Sequence, residues 1–132
     1  MCILGIGIDI VEVYRIKKLL IQKKTTFKNR IFTKKEISYC KKKKDNINCY
    51  SKRFAAKEAL VKALGTGFRK NINFRDIEVS KDLHGKPFLL LNKKLSNKIK
   101  FIFKVKKFNI FLSISDENKY AIASVIISKK WK

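Results

Sequence analysis

A carboxylate stands inside an apolar, strand-forming run near the start of this chain, Ile3-Leu4-Gly5-Ile6-Gly7-Ile8-Asp9-Ile10-Val11, and a charge there is costly unless something pairs with it. Successive side chains of a strand alternate between faces. Leu4, Ile6, Ile8 and Ile10 therefore share one side, and Gly5, Gly7 and Asp9 the other. The two glycines predict open space beside the carboxylate, room for a metal ion or a hydrogen-bonded network, and a cationic or metal partner would keep Asp9 ionised. A second reading stands beside the first: Asp9 ends the strand and caps the helix that follows.

The 132 residues fit one domain, 1–132, with enough chain for a hydrophobic core. A formal net charge of +23 points in general to nucleic acid, an acidic membrane surface or an acidic protein. Here the charge is nearly all lysine and is spread along the whole chain, which reads as compositional drift. Arginine, whose fork reads phosphates and bases, is limited to Arg15, Arg30, Arg53, Arg69 and Arg75, so neither a dedicated nucleic-acid binder nor a membrane-surface protein is favoured. Cys2, Cys40 and Cys49 are odd in number and lack C-x-x-C spacing; the expectation is three reduced thiols, with no disulfide framework and no zinc site. The N-terminal apolar run is short, has no basic region before it and is broken by Asp9, so it is neither a signal peptide nor a membrane span. A soluble, cytoplasmic protein is expected.

Residues 12–24 place Val13, Ile16, Leu19 and Leu20 at helical spacing against Arg15, Lys17, Lys18 and Lys23, a helix with a basic outer face. Thr33 and Glu36 spell a capping box, with Phe32 and Ile37 as its hydrophobic staple, and predict a short helix to about Cys40. Residues 41–48 read as a solvated loop or a frayed helix end. Residues 51–64, rich in Ala, Leu and Lys and stopped by Gly65-Thr66-Gly67, predict the central helix. Strands are predicted at 77–80 and 87–91 around a His84-Gly85 turn, and at 109–115 and 120–128 around Asp116-Glu117-Asn118-Lys119. A short helix is predicted over 92–100, held by Leu95 and Ile99, while 101–107 stays open between strand and helix end.

Glu58 and Lys62 are four residues apart in the central helix and share a face. One reading is a surface ion pair worth little. The other starts from Ala55, Ala56, Ala59 and Ala63, whose small side chains let another element come close enough for Glu58 to meet Asp9. Two carboxylates, completed by water and substrate phosphate, are a usual way to hold Mg²⁺, and Lys62 would then address a phosphate as a point charge. Gly65-Thr66-Gly67 is first a helix C-cap and turn. A phosphate role would need Lys62 to offset the negative helix end. Neither a P-loop nor a dinucleotide fingerprint is present, since Ile10 stands where the third glycine of the latter belongs.

Gly5-Ile6-Gly7-Ile8-Asp9-Ile10-Val11-Glu12 with Arg15-Ile16, followed by Arg53-Phe54-Ala55-Ala56-Lys57-Glu58-Ala59 and Lys62-Ala63-Leu64-Gly65-Thr66-Gly67, closely resembles the holo-acyl-carrier-protein synthase family, the short phosphopantetheinyl transferases. The resemblance extends over nearly the whole chain, including Asp76-Ile77-Glu78-Val79, His84-Gly85-Lys86-Pro87 and Leu112-Ser113-Ile114-Ser115 with Tyr120-Ala121. It implies an α+β fold with an antiparallel sheet packed on a long central helix. The implied activity, in support of fatty acid biosynthesis, is transfer of 4′-phosphopantetheine from coenzyme A to a serine of apo acyl carrier protein, releasing adenosine 3′,5′-bisphosphate, with Mg²⁺ as cofactor. By matching position, Asp9 and Glu58 would hold the metal, and Glu58 and Lys62 would be the catalytic pair. Arg53, Lys62, Gly65, Thr66 and Gly67 would contact coenzyme A, and Arg15 would meet the acidic carrier protein. A homotrimer with active sites between subunits is implied as well.

One departure matters. Many members of that family carry a histidine where this chain has Phe111, and the sole histidine, His84, lies in a glycine turn. The serine proton would then go to Glu58 or to a metal-bound water. Two other readings compete with the transferase: a basic RNA-binding module displaying Phe101, Phe103, Phe108 and Phe111, and a family member that binds without turnover.

Overall fold

The computed structural model describes residues 1–65 and 72–131. Its centre is an antiparallel three-stranded sheet in the order β1-β5-β4, built from β1 (Ile3–Glu12), β4 (Phe108–Asp116) and β5 (Tyr120–Lys129). Helix α4 (Asn46–Leu64) lies across one face of it, against β1 and β5. Alternation along the strands sends Val11, Leu112, Ala121, Ala123, Val125 and Ile127 into that contact, where they meet Ala55, Ala56, Ala59, Leu60, Ala63 and Leu64 of the helix. From Ser51 to Leu64 only Lys52, Glu58 and Lys62 escape burial. The α+β fold with a central helix under an antiparallel sheet is therefore the observed one.

The opposite face of the sheet is apolar and open. Ile6, Ile8 and Ile10 of β1 are 67%, 58% and 59% exposed. The register aligns them in rows, Ile6 with Ile126 and Phe111, and Ile10 with Ile122 and Ser115. The expected alternation in β1 holds, but the space beside Gly5 and Gly7 is not open. A β-carbon at Gly7 would meet the Ala59 carbonyl oxygen, and one at Gly5 that of Ala63, so the absent side chains admit helix backbone instead of a ligand. Asp9 does not cap a helix either, because β1 continues to Glu12, which takes the cap position without a side-chain hydrogen bond.

Around this centre lie α1 (Val13–Gln22), α2 (Lys24–Ile31), α3 (Lys34–Lys41), a short 3₁₀ turn (Phe74–Asp76), the hairpin β2 (Ile77–Lys81) and β3 (Pro87–Leu91), and α5 (Lys93–Phe103). The capping box at Thr33 and Glu36 is formed in full. The hairpin turns at Gly85, with φ +82°, and Asp82 Oδ1 accepts from the backbone N–H groups of His84 and Lys86. Lys104 ends α5 in the left-handed region, which settles the open segment 101–107 as a helix end leading into β4.

Three expectations are corrected. Helix α2 has no counterpart in the sequence reading, because its apolar residues are too few to mark a face. The central helix begins inside the segment read as a loop, with Asp45 capping Asn48 N–H. Cys40 and Cys49 form a disulfide, leaving Cys2 as the free thiol among the described residues. An odd cysteine count does not forbid one pair, and the turn from α3 into α4 brings the two Cα atoms to 5.5 Å, within bonding range.

Candidate active site

Asp9 and Glu58 come from different elements, and the glycine face of β1 is what joins them. With no β-carbon at Gly5 or Gly7, β1 rides on the backbone of α4, and Asp9, two residues on, arrives beside the helix turn that carries Glu58 and Lys62. A cleft of about 460 Å³ is lined there by Asp9, Arg15, Phe54, Glu58, Val61, Lys62, Ile72 and Phe74. Lys62 Nζ donates to Asp9 Oδ1 at 2.9 Å, with the two side chains 42% and 13% exposed. Arg15 of α1 closes another wall, its guanidinium 6.0 Å from the centre of the Phe54 ring, which in turn packs on Phe74.

The wall bearing Phe74 is fixed by a buried ion pair that sequence reasoning missed. Lys57 Nζ donates to Glu36 Oε1 at 2.6 Å and to the backbone carbonyls of Ile31 and Phe74. Glu36 Oε2 accepts from Val79 N–H. Both side chains are about 1% exposed. Burial pushes Lys57 below the usual lysine range, and the charge of Glu36 opposes that shift. The capping box revealed Glu36 as a local cap, whereas its bonds to α4 and β2 join segments distant in sequence.

Arg53 lies elsewhere. It faces α3, with Nη1 donating to Cys49 O and Cys49 Sγ at 3.2 Å each, and it lines a second cleft of about 250 Å³ with Lys35, Glu36, Tyr39, Glu78, Val79, Ser80 and Lys81. Its Nε is buried without a hydrogen-bond partner. The Arg53 guanidinium, Lys43 Nζ and Lys81 Nζ lie 4.5, 4.6 and 5.4 Å from the centre of the Tyr39 ring. Lys81 above all lowers the Tyr39 phenol to about 8, burial opposing it. Desolvation draws Arg53 below its usual value, with Glu36 and Tyr39 pulling the other way.

The residues singled out from sequence thus divide. Asp9, Glu58, Lys62 and Arg15 share one cleft, and Arg53 belongs to another. Gly65 caps α4 at φ +92°, its N–H donating to Lys62 O, while Thr66 and Gly67 lie outside the described residues. Phe111 is exposed on the outer face of the sheet. Of the aromatics expected of an RNA-binding module, Phe103 and Phe108 pack against the core. Among the described residues no three His, Cys, Asp or Glu side chains converge as a metal cluster, and no helix is long and apolar enough to cross a membrane. Two carboxylates on the rim of an accessible cleft nevertheless suit a hard cation that takes its remaining ligands from water and substrate.

Comparison with known proteins agrees with this arrangement. Residues 5–125 match the model of the 4′-phosphopantetheinyl transferase superfamily. A holo-[acyl-carrier-protein] synthase of Pelagibacter ubique is 53% identical over 98% of this chain and the full length of the relative. One from Clostridium botulinum is 51% identical over 93% of this chain and 95% of the relative. Among solved structures, the holo-[acyl-carrier-protein] synthase of Neisseria meningitidis superposes with a TM-score of 0.85 at 37% identity, over 96% of this chain and 99% of that one. The Bacillus anthracis synthase, solved in complex with CoA (3′,5′-ADP), gives 0.78 at 37% identity over 98% and 100%. The site's two carboxylates, the fold that presents them and the end-to-end likeness to these enzymes agree: the chain belongs to the 4′-phosphopantetheinyl transferase superfamily.

Proposed function

We propose that this chain, acting as one catalytic domain over residues 1–132, transfers 4′-phosphopantetheine from coenzyme A to a serine hydroxyl of apo acyl carrier protein and releases adenosine 3′,5′-bisphosphate. The observation that carries this reading is the meeting of Asp9, Glu58 and Lys62 in one cleft, in a chain that resembles holo-[acyl-carrier-protein] synthases along its whole length. Asp9 and Glu58 would hold Mg²⁺, whose chemistry there is to neutralise charge on the pyrophosphate. Lys62, at the cleft's edge, draws a phosphate oxygen towards the same point. Glu58 takes the serine proton, since Phe111 has no proton acceptor to offer. Phe54 and Phe74 give the cleft an apolar wall against water, and catalysis is then chiefly alignment and electrostatics.

Two further parts of the reading draw on the surface. Arg15, on the cleft's wall, meets the acidic carrier protein, whose encounter a chain of net charge +23 speeds. The exposed face of Ile6, Ile8, Ile10, Phe111 and Ile126 is the kind of patch that marks an interface, and it supports a homotrimer. In such an assembly the nucleotide end of coenzyme A lies at Arg53, Lys81 and Tyr39 of one subunit while the carboxylates come from its neighbour. That division explains why one chain separates the two clefts. The setting proposed is the cytoplasm.

The test is the intact mass of apo acyl carrier protein after incubation with this protein and coenzyme A, with Mg²⁺ or a chelator, beside Asp9→Ala. A gain of one phosphopantetheine that needs both Mg²⁺ and Asp9 supports the reading. No gain, where a known transferase modifies the same carrier, overturns it in favour of a protein that binds without turnover.

A further inference from the structure

Helix α4 carries two lysine–carboxylate pairs of opposite character. Lys57 and Glu36 are 2.6 Å apart with both side chains about 1% exposed, and Lys57 is further bound to two carbonyls; this pair is fixed. Lys62 and Asp9 are 2.9 Å apart at 42% and 13% exposure. The Lys62 ammonium sits at the rim of the cleft on a flexible stem, a point charge that can swing between acceptors. Asp9 Oδ1, which it holds, faces the same cleft as Glu58.

We propose that Lys62 is the exchangeable counter-ion of Asp9: it holds the carboxylate until a divalent cation takes that oxygen, and the ammonium so released takes a coenzyme A phosphate. The proposal rests on the reading of Asp9 and Glu58 as the metal's ligands. One ammonium cannot serve Asp9 and a phosphate at full strength together, and a divalent cation next to Asp9 repels it towards the cleft, where the phosphate is to lie. Metal and substrate therefore favour each other through a single side chain, and the effect is reciprocal by linkage. Only the lysine end of the pair is open to solvent, at 42% against 13% for Asp9, so it is the ammonium that is free to leave. The order of events follows: cation on Asp9, lysine released, phosphate captured.

The test is a double-mutant cycle on cation binding alone, read by the electron paramagnetic resonance signal of free Mn²⁺ in solutions of the full chain without coenzyme A. Four proteins are compared: wild type, Lys62→Met, Asp9→Asn and the double variant, with circular dichroism confirming that each is folded. Lys62→Met should bind Mn²⁺ about threefold to fivefold more tightly than wild type, the upper end of the range for surface ion pairs because Asp9 is the less exposed partner, and should bring no gain in the Asp9→Asn background. Equal tightening in both backgrounds would mean that Lys62 acts only through its general field and would overturn the proposal. So would no tightening in either. If Asp9→Asn leaves Mn²⁺ affinity unchanged, the metal reading itself fails, and the exchange fails with it. Calorimetry gives the reciprocal measurement: Mg²⁺ should tighten coenzyme A binding more in wild type than in Lys62→Met.

Discussion

A β-carbon placed on Gly7 would stand 1.9 Å from the carbonyl oxygen of Ala59. No side chain fits there, and the obstacle is helix backbone, which cannot rotate out of the way. Gly7→Ala must therefore push β1 away from α4, opening the strand–helix contact and parting Asp9 from Glu58. Overpacking costs about 1–3 kcal/mol where neighbours can adjust, and the upper end or more is expected here, read as a lowered denaturation midpoint. A midpoint equal to that of wild type would show that α4 can retreat from the sheet.

Removing one half of the Lys57–Glu36 pair leaves a buried charge without its partner, at a cost of about 3–5 kcal/mol. Lys57→Met is expected to lose that much stability in chemical denaturation. Glu36→Gln combined with Lys57→Met should lose clearly less than the sum of the single losses, because no lone charge remains. Additive losses would show that the two side chains act independently.

Tyr39 gives the protein a titration in an unusual place. Its phenol is drawn from 10.0 to about 8 by Lys81, with Lys43 assisting. Below pH 8 the folded and unfolded chains both carry the proton and Tyr39 contributes nothing. Between about 8 and 10 the folded chain has released a proton that the unfolded chain keeps, so stability rises with pH, and the gain is complete above 10. Ultraviolet titration should show one tyrosine ionising near pH 8, absent in Tyr39→Phe. Adenosine 3′,5′-bisphosphate should move that titration upward if its phosphate draws on Lys81 and Arg53.

Ile8→Asp puts a charge at the middle of the exposed isoleucine row, where Ile8 opposes Ser124 of β5. The chain should still fold, since that side chain is already 58% exposed. If the proposed trimer closes through this face, light scattering should report trimers for wild type and monomers for the variant, with transferase activity falling in step. An unchanged mass would move the interface to another surface.

What the sequence disclosed was what short spacing encodes. The capping box at Thr33 and Glu36, the turn at Gly85 and the alternation through Asp9 all depend on neighbours within a few residues, and all are found. The cleft was legible through the small residues of the central helix and the family motifs that name Asp9, Glu58 and Lys62. Contacts set by tertiary packing stayed hidden. The pairing of Lys57 with Glu36 spans 21 residues, the Cys40–Cys49 bond depends on the turn between two helices, and no periodicity could say that Arg53 would face α3 while Phe54, the next residue, faces the cleft. The glycines of β1 suggest room for a ligand and in fact make room for a helix, because a missing side chain does not say which body fills its place.

In the proposed assembly, the outward isoleucines of β1 set the two proposed associations, subunit with subunit and enzyme with acidic carrier, against one another. Subunits that each carry a charge of +23 repel as they approach, so dissolved salt, by screening that repulsion, favours the closing of the isoleucine faces. The same screening weakens the attraction between the basic surface around Arg15 and an acidic carrier. Dilute buffer would thus starve the enzyme of assembled sites, and concentrated buffer would starve it of its protein substrate. Turnover should accordingly pass through a maximum at intermediate ionic strength, and that maximum should shift to lower salt as the protein concentration is raised.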